Sequence, residues 1–293
     1  MTRSLARCST IASLRESIST RRGSGLVGFV PTMGALHDGH GRLIEEARRE
    51  CATVVVSIFV NPLQFDREDD LRRYPRTLER DLELCAARGA DVVFSPDPAE
   101  MYPRPPVCTV RVGALADHLC GRHRPGHFDG VATVVLKLFQ VVGADRAYFG
   151  EKDRQQLTII RRLVEDCNVP IAIVGVPTVR ESDGLALSSR NQHLDTSERA
   201  LAPALYRALL ESDRLIAAGA ADAESVLRAA RRLVPTDPSV RLEYLEVVDP
   251  DDLRPVTTIE GPVVVAGAMW VGSTRLIDNV LSAPGRSRPS GVS

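Results

Sequence analysis

Lysine is nearly missing from this chain. Of 37 basic residues only two, Lys137 and Lys152, are lysines, and the others are arginines. A charge surplus is missing as well, because 38 acidic residues leave a formal net charge of -1. That balance excludes the basic field of a nucleic-acid-binding surface and the polybasic signal of a membrane-surface protein. No apolar run approaches the roughly 20 residues of a bilayer-spanning helix. The Ser- and Arg-rich start lacks the apolar stretch of a secretion signal. Ile11, Leu14 and Ile18 recur there at helical spacing, which predicts an amphipathic helix rather than a transit peptide. The six cysteines (Cys8, Cys51, Cys85, Cys108, Cys120 and Cys167) form no C-x-x-C pair and no metal-like cluster. No protein-borne metal site is expected, and scattered reduced thiols fit a cytoplasmic protein.

What remains is an ordinary globular composition, 44% hydrophobic and 26% charged over 293 residues. Short β-branched runs alternate with helical patterns. Strands are expected at 26–30, 53–60, 91–95, 146–149 and 171–176, and helices at 41–51, 77–88, 131–142 and 155–167. Strands apolar on both faces and separated by helices imply a parallel sheet covered on both sides. The fold class expected is therefore α/β, a Rossmann-like doubly wound parallel sheet over 1–187. The segment 96–124 is irregular and Pro-rich, with a β-like piece at 108–112. A smaller α+β domain is expected over 188–283, with helices at 196–218 and 221–233 and strands at 241–247 and 263–269. The Pro/Gly/Ser-rich end, 284–293, reads as a disordered tail.

Right-handed crossovers bring the C-terminal ends of all parallel strands to one rim, where α/β sheets bind anionic ligands. His37-Asp38-Gly39-His40 follows the first strand there and opens a helix. Two imidazoles at a helix start, with a glycine that lets the backbone approach, suit a phosphate. Alone, the pair equally fits two packing histidines. Gly150-Glu151-Lys152-Asp153 also follows a strand and precedes a helix. Lys152 is a compact point charge that can neutralise phosphate, and Asp153 can serve a ribose or phosphate-bound Mg2+. Alone, this too fits a solvated turn. Leu187-Ser188-Ser189-Arg190-Asn191 suits a phosphate clamp or a simple linker. Gln64 and Gln156 are amides near strand ends, and spacing gives no reason to prefer them. Arg124-Pro125-Gly126-His127-Phe128 reads as a phosphate-facing loop or a turn.

Taken in order, seven segments resemble the pantothenate synthetase (pantoate–β-alanine ligase) family. They are 30–40, 57–65, Tyr74-Pro75-Arg76-Thr77, 124–128, 150–153, 185–191 and Thr274-Arg275-Leu276-Ile277-Asp278-Asn279. The resemblance implies ATP contacts at Met33, Gly34, Ala35, Leu36, His37, Asp38, Gly39 and His40. It implies further ATP contacts at Gly150, Glu151, Lys152, Asp153, Val179, Leu187, Ser188, Ser189 and Arg190. It implies His40 as the catalytic proton donor, and the catalytic group expected is His40, His37, Lys152 and Arg190, sharing the charge that develops on the phosphate. Pantoate contacts follow at Gln64 and Gln156, and a β-alanine contact at Gln64. A homodimer, ATP used with Mg2+, no tightly bound organic cofactor and a C-terminal domain that lids the site are also implied. Three residues depart from the family pattern: Gly41, His123 and Arg154. The H-x-G-H motif equally fits a nucleotidyltransferase that moves AMP onto a phosphorylated acceptor. A silent nucleotide-binding protein is the third class, and the complete His, Lys and Arg set argues against it.

Overall fold

The computed structural model describes residues 5–285, so from residue 286 on the expected tail lies outside the described residues. The chain divides into two compact units, 1–116 with 121–179, and 117–120 with 180–293. The division at 179/180 falls eight residues before the position expected from sequence, and the second unit also takes in 117–120.

The first unit runs β1 (Ala6–Cys8), α1 (Ile11–Ser19), β2 (Val27–Thr32), α2 (Asp38–Glu50) and β3 (Thr53–Ile58). It continues with α3 (Glu68–Arg73), α4 (Leu78–Ala87), β4 (Val92–Phe94) and α5 (Pro98–Met101). After a short α6 (Leu119–His123), whose first two residues belong to the second unit, come α7 (His127–Val142), β5 (Arg146–Gly150), α8 (Arg154–Asp166) and β6 (Ala172–Val176). All six strands are parallel, in the order β1-β4-β3-β2-β5-β6. This is the doubly wound sheet expected, with α2 and α4 on one face and α1, α7 and α8 on the other. Successive residues of β2 serve the two faces. Val30 packs with Ile44, Ala47, Val54 and Cys85 on the α2 side. Phe29 meets Phe139 of α7 edge-on, at 6.4 Å between ring centroids.

Two sequence expectations fail here. Residues 108–112 form no strand, because the N–H groups of Val110 and Val112 donate to side chains of α7, Thr133 Oγ1 at 2.9 Å and Asp129 Oδ1 at 2.8 Å. β1 was not anticipated; three residues, Ala-Arg-Cys, carry no alternation to read.

The second unit contains α9 (Thr196–Leu201), α10 (Ala204–Ala217), α11 (Ala223–Arg231), β7 (Val240–Val248), β8 (Val263–Val271) and β9 (Thr274–Ser282). The single helix expected at 196–218 is two, since Pro203 has no N–H to continue the first. The strands form an antiparallel sheet, β7-β8-β9. Leu205, Leu209 and Ile216 of α10 share a buried cluster with Val265 and Met269 of β8. β9 escaped the sequence reading because Arg275, Asp278 and Asn279 hide its alternation. Among the described residues no helix is long and apolar enough to cross a membrane.

Candidate active site

β2 stands between β3 and β5, and the chain leaves the two central strands β2 and β5 toward opposite edges of the sheet. Their C-terminal ends therefore open a crevice at the topological switch point. Residues 33–40 leave from one end and 151–153 from the other.

The loop from Met33 to Leu36 is wound left-handed, with φ of 82° at Gly34 and 50° at Ala35. A side chain on Gly34 would sit 3.0 Å from Asp81 Oδ2 and 3.1 Å from Ile58 Cγ2. Ala35 takes a conformation L-residues avoid, so something must hold it. Asp81 of α4 does: its buried carboxylate accepts from the N–H of Ala35 at 3.0 Å and of Leu36 at 2.8 Å, and from Thr77 Oγ1 at 3.1 Å. Thr32 Oγ1 accepts from Gly34 N at 3.2 Å and donates to the Ser57 carbonyl at 2.7 Å. Asp81 was missed from sequence. Its partners lie about 45 residues away, and only the Tyr74–Thr77 segment beside it gave a hint.

His37 and His40 cap α2 for each other. His37 Nδ1 accepts from Gly39 N at 3.1 Å, and His40 Nδ1 accepts from His37 N at 3.3 Å. The rings lie 4.2 Å apart between centroids, tilted by 49°. A ring nitrogen that accepts a backbone N–H carries no proton, so in both neutral rings the proton resides on Nε2. Burial, then the charge of Lys152, pulls His37 down to about 4. Burial, then His37, then Lys152, pulls His40 down to about 3. At neutral pH the helix start thus presents two uncharged imidazoles whose remaining polar ends are donors.

Lys152 lies in the turn Glu151–Asp153 after β5, close enough to depress both histidines, and its Nζ is 3.8 Å from Asp153 Oδ1. The crevice thus brings together His37, His40 and Lys152. Val179 ends the first unit, just past β6. Gln64 is buried in the turn Pro62–Gln64 after β3, and Gln156 is half-buried in the first turn of α8. Its neighbour Gln155 is structural, donating to the Leu115 carbonyl at 2.8 Å and accepting from Gly121 N at 3.3 Å. Arg124 and His127 do not form a bare turn: His127 Nδ1 lies 2.7 Å from the Gln64 carbonyl, and Arg124 reaches His127 Nε2 at 3.0 Å and Asp66 at 3.3 Å.

Leu187, Ser188, Ser189 and Arg190 belong to the second unit. Ser188 Oγ accepts from Arg190 N at 3.3 Å and starts the turn Ser189–His193. In the same unit Arg180 makes a bidentate pair to Asp278 at 2.6 and 3.0 Å, while its guanidinium stacks 3.8 Å from the Tyr206 ring.

The departures from the family pattern acquire reasons or sites. Gly41 leaves room for Arg88, whose Nε would be 3.1 Å from an added Cβ and which pairs with Asp38 and Glu45. Arg154 starts α8 with its guanidinium 3.6 Å from Glu151, and burial lowers its pKa. His123 is exposed, at the end of α6.

The six-stranded, doubly wound parallel sheet places paired imidazoles and an ammonium at its switch point, the place where open α/β sheets bind ligands. A profile of the pantoate-beta-alanine ligase family matches residues 6–281, and the chain belongs to that family. It is 51% identical to a pantothenate synthetase of Moorella thermoacetica, over 93% of this chain and 96% of that protein. It superposes on the pantothenate synthetase of Thermus thermophilus with a TM-score of 0.89 at 48% identity, covering 94% and 98% of the two chains. A Francisella tularensis pantoate-beta-alanine ligase, complexed with beta-gamma ATP and beta-alanine, matches with a TM-score of 0.77 at 34% identity, covering 95% and 98%. The chain spans about half the length of the bifunctional pantoate ligase/cytidylate kinases it also matches, 51% of one that is 54% identical.

Proposed function

We propose that this chain is an AMP-forming ligase that condenses pantoate with β-alanine to pantothenate. The reading is carried by the two neutral imidazoles near Lys152 at the β2/β5 switch point, each with Nδ1 bound to the backbone and Nε2–H left as its donor. In the first step the pantoate carboxylate attacks the α-phosphorus of ATP and the bond to pyrophosphate breaks, leaving pantoyl adenylate. Negative charge grows on the phosphate oxygens, and fixed donors stabilise it without reorganising. His40 and His37 are placed to donate hydrogen bonds through Nε2, and Lys152 supplies a full charge. His40, pulled down to about 3, acts as a neutral hydrogen-bond donor in the free protein rather than as an imidazolium acid. In the second step the neutral amine of β-alanine attacks the acyl carbon, AMP leaves with the bonding pair, and the amine gives up its proton. Positioning carries this step, and no nucleophilic side chain is needed.

ATP enters as its Mg2+ complex. Mg2+ is commonly held by substrate phosphates and one or two carboxylates. Asp153, beside Lys152, fits such a role, and among the described residues no three His, Cys, Asp or Glu side chains gather to hold a metal by themselves. The left-handed loop from Met33 to Leu36, with Asp38, Gly39, Gly150, Glu151 and Val179, is assigned to ATP. So are Leu187, Ser188, Ser189 and Arg190, on the family resemblance. Gln64 and Gln156 are assigned to pantoate, and Gln64 also to β-alanine. A cytoplasmic homodimer completes the reading, again on the resemblance.

An omission assay tests it. Purified protein should form AMP and pantothenate only when ATP, pantoate and β-alanine are all present. It should release pyrophosphate from ATP and pantoate alone. His40→Ala should lower that release by about 10²–10³-fold while circular dichroism stays unchanged. AMP appearing on a phosphorylated acceptor, with no need for an amine, would instead establish the nucleotidyltransferase reading.

A further inference from the structure

Gln64 is held at both ends by residues that the proposed chemistry does not use. Its carbonyl accepts from His127 Nδ1 at 2.7 Å. Its side-chain Oε1 accepts from Asn61 Nδ2 at 3.2 Å. Asn61 is fully buried, and its own orientation is fixed on both sides. Nδ2 also donates to the Gly130 carbonyl at 3.1 Å, a group that can only accept. Oδ1 accepts from Leu63 N at 3.4 Å and from the Tyr102 hydroxyl at 3.0 Å. Gly130 is needed for this closeness, since a Cβ there would lie 2.2 Å from the Leu63 carbonyl oxygen and 2.7 Å from Gln64 Cα. Tyr102 is itself fixed, with its ring 6.1 Å from Phe59 and Lys137 Nζ 5.4 Å above its face. Burial pushes its hydroxyl up to about 12, so it stays a donor. The other of the chain's two lysines thereby gains a place.

We infer that Tyr102 is a positioning residue: through Asn61 it locks the Gln64 amide with its NH2 end turned toward the substrate. The relay has one polarity. Tyr102 O–H donates to Asn61 Oδ1, Asn61 Nδ2 donates to Gln64 Oε1, and Gln64 Nε2 is left facing Met33 Sδ at 2.8 Å. A thioether is a weak acceptor, so a hydroxyl or carboxylate oxygen of the acid substrate is the stronger partner. Gln64 then selects an acid that offers an oxygen acceptor at that point, and disfavours an analogue that can only donate there. The inference rests on the assignment of pantoate to Gln64.

A double-mutant cycle separates the two. Tyr102→Phe removes only the hydroxyl, and Asn61 keeps its bonds to Gly130 and Leu63. It should raise KM for pantoate about fivefold and leave KM for ATP and the thermal midpoint unchanged. Gln64→Ala should raise KM for pantoate further, and Tyr102→Phe added to it should change nothing more. Multiplied effects in the double variant, or an equal rise in KM for ATP, would make Tyr102 a general packing residue and overturn the relay. An unchanged KM for pantoate in Gln64→Ala would overturn the pantoate assignment and the relay with it.

Discussion

In the second unit, buried and half-buried charges meet their opposites. In the first, the buried polar groups of the crevice meet backbone. Arg180 closes on Asp278, and Arg275 closes on Glu243, which also accepts from Trp270 Nε1 at 2.8 Å. Each of these pairs uses up its own charge. Asp81 instead grips two backbone N–H groups, and each imidazole accepts one and keeps its other nitrogen as a donor. Cancelled charge makes scaffold. Polar groups anchored by the main chain keep part of their bonding capacity for a ligand.

Breaking the cancelled pair should have the largest effect. Asp278→Ala leaves Arg180 partly buried without its carboxylate, and costs about 3 kcal/mol in denaturant titration. Pyrophosphate release per folded molecule should change far less. If the release collapses in a stably folded variant, the pair belongs to the site as well as to the scaffold. Asp81→Asn comes next. One oxygen is exchanged for an NH2 that faces a backbone N–H, so stability should fall by about 1–3 kcal/mol. KM for ATP should rise more than KM for pantoate. Equal rises would show that Asp81 supports the unit in general rather than this loop.

The imidazoles sharpen the comparison through pH. Their folded values, about 4 for His37 and about 3 for His40, lie below the ordinary 6.5. The unfolded chain therefore takes up protons first. Their contribution to stability is complete above pH 6.5 and is lost as pH falls through about 4 and then 3. Replacing His40 by Gln should flatten the dependence of the denaturation midpoint on pH below 6.5. An unchanged slope would mean that His40 does not titrate in the folded state as its surroundings imply. Gly41→Ala is the smallest change. It should stabilise the protein by about 1 kcal/mol, because the nearest atoms belong to the flexible Arg88 side chain. A loss of stability would show that the seat of Arg88 against Asp38 and Glu45 matters more than helix propensity.

Much of the first unit could be read in advance because strand and helix periods alternate there without interruption. The rim positions of His37 and Lys152 followed from that alternation and from the handedness of crossovers. What could not be read was contact across the sheet. Asp81 looks like one more charge in the first turn of α4. Asn61 and Tyr102 are separated by 41 residues, and nothing local links them. In the second unit β9 was hidden because buried Asp278 faces the half-buried Arg180, so a polar residue occupies a core position. The break at Pro203 was written in the sequence, but the apolar spacing runs on through it.

The paired histidines that start α2 have one more implication. The Nδ1 atoms that begin the helix and the Nε2–H donors that the proposed chemistry would offer to a phosphate share the same two rings. Fraying of that first turn would release both Nδ1 acceptors, let the rings rotate and take up protons, and so disarm the crevice before any tertiary packing is lost. Serine or asparagine at position 37 would start the helix just as well and present nothing outward. For this segment, folding and readiness for chemistry are a single event.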